Sequence, residues 1–220
     1  MPRLSRRHIL KWSGAAAGIA IAGAVLPNFG ISAALAADLG EGDVGVLNYA
    51  YALEQLEAAF YTQVVKTPYE GATSTELSNL KVIRDHEVAH AKFLKGALGR
   101  KAIPALKVDF SAVDFSSRKS VLGTADVFEN LGVAAYDGAG QLIKNVDCLA
   151  AAGSIVSVEA RHAATIALLL SGFGSNAAGG KKVDSKGLDA ALLPSDVLPK
   201  AAPFIVTAAT ANSLAWGDRS

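Results

Sequence analysis

Between residues 43 and 172 the apolar positions recur mostly with the period of an α-helix. No stretch of this region alternates apolar and polar residues for more than a few positions, so an extended β-sheet is not expected. The first periodic stretch predicts a helix over residues 43–66, which Thr67-Pro68 would end. Its apolar stripe consists of Val46, Leu47, Ala50, Leu53, Ala58 and Tyr61.

Three further helices are predicted from their periodicity and their end signals. Thr73-Ser74-Thr75-Glu76 is a capping box, which predicts a second helix that runs to Leu98, with Gly99 as its stop. A third helix is expected over about residues 119–145. Asp147, in the turn after it, is predicted to cap a fourth helix from Cys148 to about Leu170.

The lengths of the connections predict how the helices are arranged. Short loops join helices 1 and 2 and helices 3 and 4, so each pair is expected to form an antiparallel hairpin. Residues 99–118, with Pro104, form a long irregular connection that reaches roughly 65 Å when extended. Because helices of this length span only roughly 37 Å, the fold class predicted is all-α, an antiparallel four-helix bundle with one long crossover between helices 2 and 3.

Glycines inside the third helix oppose this prediction. Gly132, Gly138 and Gly140 each cost about 1 kcal/mol relative to alanine in a helix interior. Close approach of a neighbouring helix would compensate for this cost.

The N-terminal segment has the pattern of an export signal. Ser5-Arg6-Arg7 begins a twin-arginine motif, a modestly apolar stretch follows over residues 12–26, and Ala34-Leu35-Ala36 offers a cleavage site. We therefore predict a twin-arginine signal peptide over 1–36, a bundle domain over 37–172, and a glycine-rich linker with an irregular tail over 173–220. The expected location is periplasmic or extracellular, with no stable membrane span after processing. In the tail, three prolines exclude a long helix, although a short one is allowed after the last: Pro194, Pro199 and Pro203.

Composition narrows the class of partner. The chain is 51% hydrophobic with a formal net charge of +1, and the segment before residue 37 holds four basic residues and no acidic one. The processed protein is therefore weakly acidic, which argues against nucleic acid as a partner. Cys148 is the single cysteine, so it has no intramolecular disulfide partner, and it is expected to be a buried small hydrophobic residue.

The candidate chemistry lies in one pattern that occurs twice. A lone glutamate is followed about thirty residues later by Glu-x-x-His, and the two side chains of that motif are neighbours on one helix face. Four carboxylates and two imidazoles are a full ligand set for two adjacent divalent ions. Mostly oxygen ligands with one nitrogen per ion suit Fe or Mn better than Zn, and the choice between Fe and Mn stays open. The predicted metal ligands are Glu54, Glu87, His90, Glu129, Glu159 and His162.

Two tyrosines accompany the lone glutamates at the same offset. Tyr61 follows Glu54 by seven residues and Tyr136 follows Glu129 by seven, which places each tyrosine on the face of its own glutamate. Two interpretations stay open: they orient the ligand carboxylates at the cofactor site, or they fill the core. Glu57, three residues after Glu54, is the alternative ligand of the first helix, and otherwise lies beside the site or faces solvent.

Three more polar residues lie near the motifs. His86 is expected to be a surface histidine, because it lies about 100° around the helix from Glu87. Asp126 is expected to be an exposed acid, although it lies within reach of the site. Arg161 is a candidate partner of a ligand carboxylate.

These residues carry a family resemblance over about residues 43–172. Leu53-Glu54 to Tyr61, His86-Glu87 to His90 and Val158-Glu159 to His162 resemble the ferritin-like domain of exported bacterial proteins and plant desiccation-related proteins. The resemblance implies a non-haem dimetal centre that reacts with peroxide, dioxygen or ferrous iron. The chain lacks the Cys-x-x-Cys pairs of rubrerythrin, and its proline-broken tail differs from the fifth helix of cage-forming ferritins. Neither reductase-linked peroxidase chemistry nor storage of iron in a shell is therefore expected.

Two functional hypotheses follow. The first is an oxidoreductase, catalase-like or ferroxidase-like, linked to oxidative or desiccation stress, with a small oxidant or ferrous iron as its partner. The second is a non-enzymatic scaffold or stress-protection protein of the cell envelope with a structural or vestigial metal site. The complete ligand set favours the first, since a scaffold gains little from four buried acids. A homo-oligomer is compatible with either.

Overall fold

Four long helices form most of the part of the chain that the structure describes. The structure is a computed structural model, and it describes residues 37–172, 175–179, 182–206 and 209–210. The predicted signal peptide over 1–36 lies outside the described residues. Short 3₁₀ turns occur at Gly99–Lys101, Ser175–Ala178 and Ala202–Phe204. The other elements are β1 Ala37–Asp38, α1 Gly42–Lys66, α2 Ser74–Leu98, α3 Arg118–Gly140, α4 Val146–Ser171, α5 Pro194–Ala201 and β2 Ala209–Thr210. The expected helical fold is confirmed.

The ends of α1 and α2 lie where their end signals predict. The Thr73 hydroxyl accepts a hydrogen bond from the Glu76 backbone N–H at 3.2 Å, and the Thr73 N–H donates to the Glu76 carboxylate at 2.9 Å. This is the predicted capping box, which satisfies two N–H groups that an uncapped helix start leaves without partners. Gly99 ends α2 with a φ of 56°, a conformation that glycine adopts without steric cost.

The turn between α3 and α4 differs from the prediction. α3 ends at Gly140 rather than near residue 145, and a short turn over 141–145 follows. The cap of α4 is Asn145 and not Asp147, because the Asn145 side chain accepts from the backbone N–H groups of Asp147 and Cys148 at 2.8 and 3.3 Å. Asp147 lies inside the first turn, where its negative charge interacts favourably with the helix dipole.

Two polar contacts between helix ends define the direction of each helix. Arg118, at the start of α3, forms an ion pair of 2.7 Å with Glu76 at the start of α2. Asp43, at the start of α1, accepts from the backbone N–H groups of Lys144 and Asn145 just before α4, both at 2.8 Å. α2 and α3 therefore start at one end of the bundle, and α1 and α4 start at the other. The crossover between Leu98 and Arg118 must run the length of the bundle, as its length predicts.

The crossover is attached to α1 by side-chain amides. Asn48 is buried, and its Nδ2 donates to the carbonyls of Leu39 and Lys101 while its Oδ1 accepts from the Ile103 N–H, each at 2.9 Å. Gln55 accepts from the Leu106 N–H at 2.9 Å. A buried amide with these bonds stabilises one path of the connection, since any other path leaves polar groups without partners.

Aromatic residues connect the crossover and the tail to the bundle. The ring of Phe60 on α1 packs edge-to-face with Phe128 on α3 at a centroid distance of 5.1 Å. Phe110 of the crossover also packs edge-to-face on Phe60, and Phe204 of the tail packs on Phe128 at 4.9 Å. Such pairs contribute about 0.5–1.5 kcal/mol each beyond the apolar area that they bury.

One glycine of α3, Gly138, lies where the backbone of the tail packs against the helix. A Cβ atom on Gly138 would lie 1.8 Å from the carbonyl oxygen of Leu192, and the Leu192 N–H donates to the Ala134 carbonyl at 2.9 Å. The close neighbour is therefore the backbone of the tail and not the neighbouring helix that the sequence suggests. The short tail helix α5 begins at Pro194, because proline is well tolerated in a first helical turn. The short helix that the sequence allows after Pro203 falls largely outside the described residues.

By length and composition alone, α4 is the one helix among the described residues that is apolar enough to cross a membrane. This is weak evidence for a span, because α4 also contributes the buried side chains of Glu159 and His162 to the bundle interior.

Candidate metal centre

The six predicted ligands come from all four helices of the bundle and meet in its interior. Glu54 lies on α1, Glu129 on α3, and each of α2 and α4 contributes a Glu-x-x-His pair. All four carboxylates are completely buried. His162 is buried as well, and the side chain of His90 is 13% exposed. Because Glu-x-x-His spans less than one helical turn, each pair presents both side chains to the same space.

The ligand atoms form two overlapping groups. In the first, one atom from each of Glu54, Glu87, His90 and Glu159 lies within 4.8 Å of the other three. The second group has the same property and consists of Glu87, Glu129, Glu159 and His162. Since Glu87 and Glu159 belong to both groups, their carboxylates lie between two adjacent positions that can each hold a cation.

Each histidine lies closest to a carboxylate of the other hairpin. His90 Nδ1 is 3.0 Å from Glu159 Oε1 and 3.3 Å from Glu54 Oε2. His162 Nδ1 is 2.7 Å from Glu87 Oε1 and 3.5 Å from Glu129 Oε2. The two hairpins therefore contribute equivalent ligands in a crossed, pseudo-twofold arrangement.

Most of these atoms have no hydrogen-bond partner. Among the described residues, eleven buried side-chain nitrogen and oxygen atoms lack one, and eight of the eleven belong to the six predicted ligands. They include both oxygens of Glu87, both of Glu159, and Nδ1 of each histidine. The ligand atoms thus lie 2.7–3.5 Å apart without forming hydrogen bonds. They point towards a shared central space and not at one another. Buried polar groups without partners are costly in a folded protein unless an ion or water satisfies them.

The two tyrosines bind the lone glutamates in a crossed manner. Tyr61 donates its hydroxyl to Glu129 Oε1, and Tyr136 donates to Glu54 Oε1. The sequence places each tyrosine on the face of its own glutamate, but seven residues span about 10.5 Å along a helix, too far for direct contact. Each hydroxyl therefore reaches the facing helix. Both rings are also buried in the core, so the tyrosines both orient the ligand carboxylates and fill the core. Each bond occupies one glutamate oxygen and leaves Oε2 directed at the centre.

Burial and mutual charge control the protonation of the cluster. Burial raises the pKa of Glu54 well above its usual value, with the charge of Glu159 adding to the effect, and burial raises the pKa of Glu129 to about 8. Burial would also raise the pKa of Glu87, but contacts with His162 and His90 outweigh it and lower the value to about 2.

The histidines behave in the opposite sense. Burial alone would lower the pKa of each imidazole. The surrounding carboxylates instead raise the pKa of His90 to about 12 and that of His162 to about 11. Without metal, the cluster balances its charge with protons held on the histidines and on some carboxylates. Any cation that enters must displace these protons.

Glu57 adds a fifth carboxyl to the interior. It is buried, and its Oε1 lies 3.2 Å from the position of a Cβ atom on Gly132. Glu57 is therefore not solvent-facing, and its side chain occupies the space that Gly132 leaves. Burial, reinforced by the charge of Glu159, raises the pKa of Glu57 well above its usual value. It belongs to neither ligand group, whereas Glu54 belongs to the first.

His86 is the neighbour of the site that sequence reasoning missed. It is exposed, as expected, but its Nδ1 lies 2.9 Å from Nε2 of His162, and the two rings are nearly parallel with a centroid distance of 5.2 Å. The four-residue spacing between His86 and His90 was a usable signal, because it places both on one side of α2.

The other polar candidates do not join the centre. Asp126 is partly exposed and forms an ion pair of 2.8 Å with Lys182 of the tail. Arg161, a candidate partner of a ligand carboxylate, is exposed on α4 and pairs with no ligand carboxylate among the described residues. Cys148 was expected to be buried but is partly exposed, because it lies in the first turn of α4 at the end of the bundle.

Four helices in two hairpins around a buried carboxylate–histidine cluster define the class, an all-helical protein whose core is built like a metal site. The profile of the ferritin-like domain matches residues 42–172, which is more than half of the chain, and the chain belongs to that family. A search of curated proteins finds no match.

Proposed function

We propose that this protein binds two divalent metal ions, Fe or Mn, at the two groups formed by Glu54, Glu87, His90, Glu129, Glu159 and His162. The observation that carries the proposal is the set of eight buried ligand atoms that lack hydrogen-bond partners and face one another. A cluster that served only packing would not be expected to leave both oxygens of two buried glutamates without partners.

Charge and donor type also fit such ions. Four carboxylates carry four negative charges when ionised, and two divalent cations balance them with both histidines neutral. Carboxylate oxygens with one imidazole nitrogen per position suit Fe or Mn, whereas structural zinc sites are usually tetrahedral with sulfur and nitrogen ligands.

The reaction we propose is redox chemistry on a small oxidant or on ferrous iron. When bound, such ions exchange electrons with peroxide, dioxygen or ferrous iron. The residues of the chain supply the rest of the site. Tyr61 and Tyr136 fix the orientation of Glu129 and Glu54, and the aromatic core around Phe60 and Phe128 excludes water. The raised pKa of Glu57 lets its carboxyl hold a proton close to Glu159.

For the biological role, we propose an exported protein of the periplasm or the extracellular space that protects against oxidative or desiccation stress. The twin-arginine pattern supports this location, because that route carries proteins that have already folded around a cofactor.

The proposal is tested by the metal content of the full chain and of Glu129→Gln. Glutamine keeps an oxygen for the Tyr61 hydroxyl but removes the carboxylate charge. We expect one metal position to weaken by at least about a hundredfold, since losing a mere hydrogen-bond partner of a ligand already costs about 10–100-fold. Elemental analysis and a competitive titration with Mn(II) measure this. Asp126→Asn, one turn earlier on α3 and outside the site, is the matched control.

Activity is measured on the same samples as oxygen release from peroxide and as oxidation of ferrous iron. Two bound equivalents in Glu129→Gln with unchanged affinity would refute the ligand assignment. Stoichiometric metal with neither activity would favour the non-enzymatic scaffold with a structural metal.

A further inference from the structure

The two hairpins repeat the same ligands but not the same neighbours. Glu87 and His90 on α2 correspond to Glu159 and His162 on α4 at a constant separation of 72 residues. At the same separation, His86 corresponds to Val158. One ligand histidine therefore has an imidazole beside it, and valine occupies the equivalent position of the other hairpin.

The contact between His86 and His162 is well defined. His86 Nδ1 lies 2.9 Å from His162 Nε2, which is a normal hydrogen-bond length. The rings are nearly parallel, with an angle of 14° between them. On the opposite edge of the His162 ring, Nδ1 lies among the carboxylates, 2.7 Å from Glu87 Oε1.

The direction of this hydrogen bond follows from what Nδ1 of His162 must do. An imidazole nitrogen that binds a cation carries no proton, so a neutral metal-bound His162 has its proton on Nε2. That N–H points at His86 Nδ1, which must then be the acceptor. The bond thus selects the tautomer of His162 in which Nδ1 is free to bind, and it restricts rotation of that ring.

We propose that His86 is a positioning residue for the second metal position, the one formed by Glu87, Glu129, Glu159 and His162. It accepts the Nε2–H of His162 and holds that ring with Nδ1 towards the centre. The first position, which contains His90, has no such histidine at the equivalent place. The inference depends on the metal binding proposed above. It makes the two metal positions inequivalent, although their ligands match.

The experiment compares two substitutions of His86 in the full chain. His86→Val installs the residue found at the equivalent position 158 and removes the acceptor. His86→Asn removes the ring but keeps an acceptor, since the side-chain oxygen of asparagine lies close to where Nδ1 of histidine lies. Because His86 is exposed, both variants are expected to fold, and circular dichroism checks this.

Competitive titration with Mn(II) gives the affinity of each position. We expect His86→Val to weaken one of the two positions by about 10–100-fold, the usual effect of losing a hydrogen bond to a ligand. The other position should be unchanged, and His86→Asn should recover most of the loss. The inference is overturned if both positions weaken equally, if neither changes, or if asparagine is no better than valine.

A spectroscopic signal separates positioning from a general effect on structure. In protein loaded with Zn(II) as a diamagnetic probe, nitrogen-15 NMR should show His162 with a protonated Nε2 whose proton exchanges slowly with water. In His86→Val this proton should exchange rapidly, while that of His90 does not change. Slow exchange of the His162 proton in His86→Val would refute the role of His86. Failure of the wild-type chain to bind either ion would instead refute the proposed function itself.

Discussion

The α1–α2 hairpin and the α3–α4 hairpin contribute the same three ligand types to the centre, yet their surroundings differ. Where α1 has Glu57, α3 has Gly132 at the same separation of 75 residues that relates Glu54 to Glu129. The carboxyl of Glu57 then occupies the space beside Gly132. The ligands of the two hairpins must match, because both hairpins line the same central space. Their neighbours are constrained only by what packs against each hairpin, so the match is already lost at Glu57 and Gly132, three residues after Glu54 and Glu129.

The largest expected effect on metal affinity distinguishes a ligand shared by both metal positions from a ligand that belongs to one. Glu87 belongs to both groups, whereas Glu54 belongs to one. Glu87→Gln should therefore weaken both metal positions by about a hundredfold or more, and Glu54→Gln should weaken mainly the position that contains His90. Competitive metal titration measures both. Equal effects of the two variants on both positions would contradict the assignment of Glu87 to both positions and of Glu54 to one.

The second prediction concerns the outer faces of the hairpins. Gly138 on α3 lies against the backbone of the tail, whereas the side chain of Gln63, the equivalent residue of α1, donates to the nearby Thr67 hydroxyl at 3.0 Å. Gly138→Ala places a methyl group 1.8 Å from the Leu192 carbonyl oxygen, so it should lower the free energy of unfolding by about 2–3 kcal/mol or detach the tail. Chemical denaturation measures the loss.

Gly123→Ala in the same helix is the control for Gly138→Ala. A Cβ atom at Gly123 meets nothing within 4 Å, so alanine there should raise stability by up to about 1 kcal/mol. If both substitutions stabilise the protein, the tail does not pack on α3 as described.

The sequence predicts well the features that local signals encode, and predicts poorly those that depend on contacts between distant segments. Ligand spacing, the capping box at Thr73 and the length of the crossover are local signals, and each specifies one local geometry. The role of Gly138 depends on a contact with Leu192, 54 residues away, which no local pattern encodes. The crossed bonds of Tyr61 and Tyr136 likewise depend on which helix faces which, and this is decided by packing and not by spacing.

The third prediction is a pH dependence of the metal-free protein. The folded-state pKa values of His90, His162 and Glu129 are raised, to about 12, 11 and 8. Between about pH 4.5 and the pKa of His90, about 12, the folded protein therefore holds more protons than the unfolded chain, and its stability should fall as pH rises through that range. Glu87, with a pKa lowered to about 2, acts in the opposite sense and loses its contribution as pH falls from 4.5 towards 2.

Stability of the metal-free chain is therefore expected to be greatest near pH 4.5. Denaturation midpoints between pH 3 and pH 9, with and without Mn(II), measure this. Metal replaces the bound protons, so the ion should stabilise the protein more strongly as pH rises. A metal-free protein whose stability rises from pH 5 to pH 8 would contradict the protonation of the cluster described above.

The smallest expected effect concerns the asymmetric pair of Glu57 and Gly132. If Glu57 is held in its neutral form by burial, Glu57→Gln preserves both shape and charge, and metal affinity should change by less than about threefold, which is below 0.7 kcal/mol. Gly132→Ala is the matched change on the other hairpin. It brings a methyl group to 3.2 Å from Glu57 Oε1, so the carboxyl must move by a few tenths of an ångström. A loss of affinity in Glu57→Gln as large as in Glu54→Gln would instead make Glu57 an ionised ligand, and the two hairpins would then differ in the number of carboxylates that they contribute.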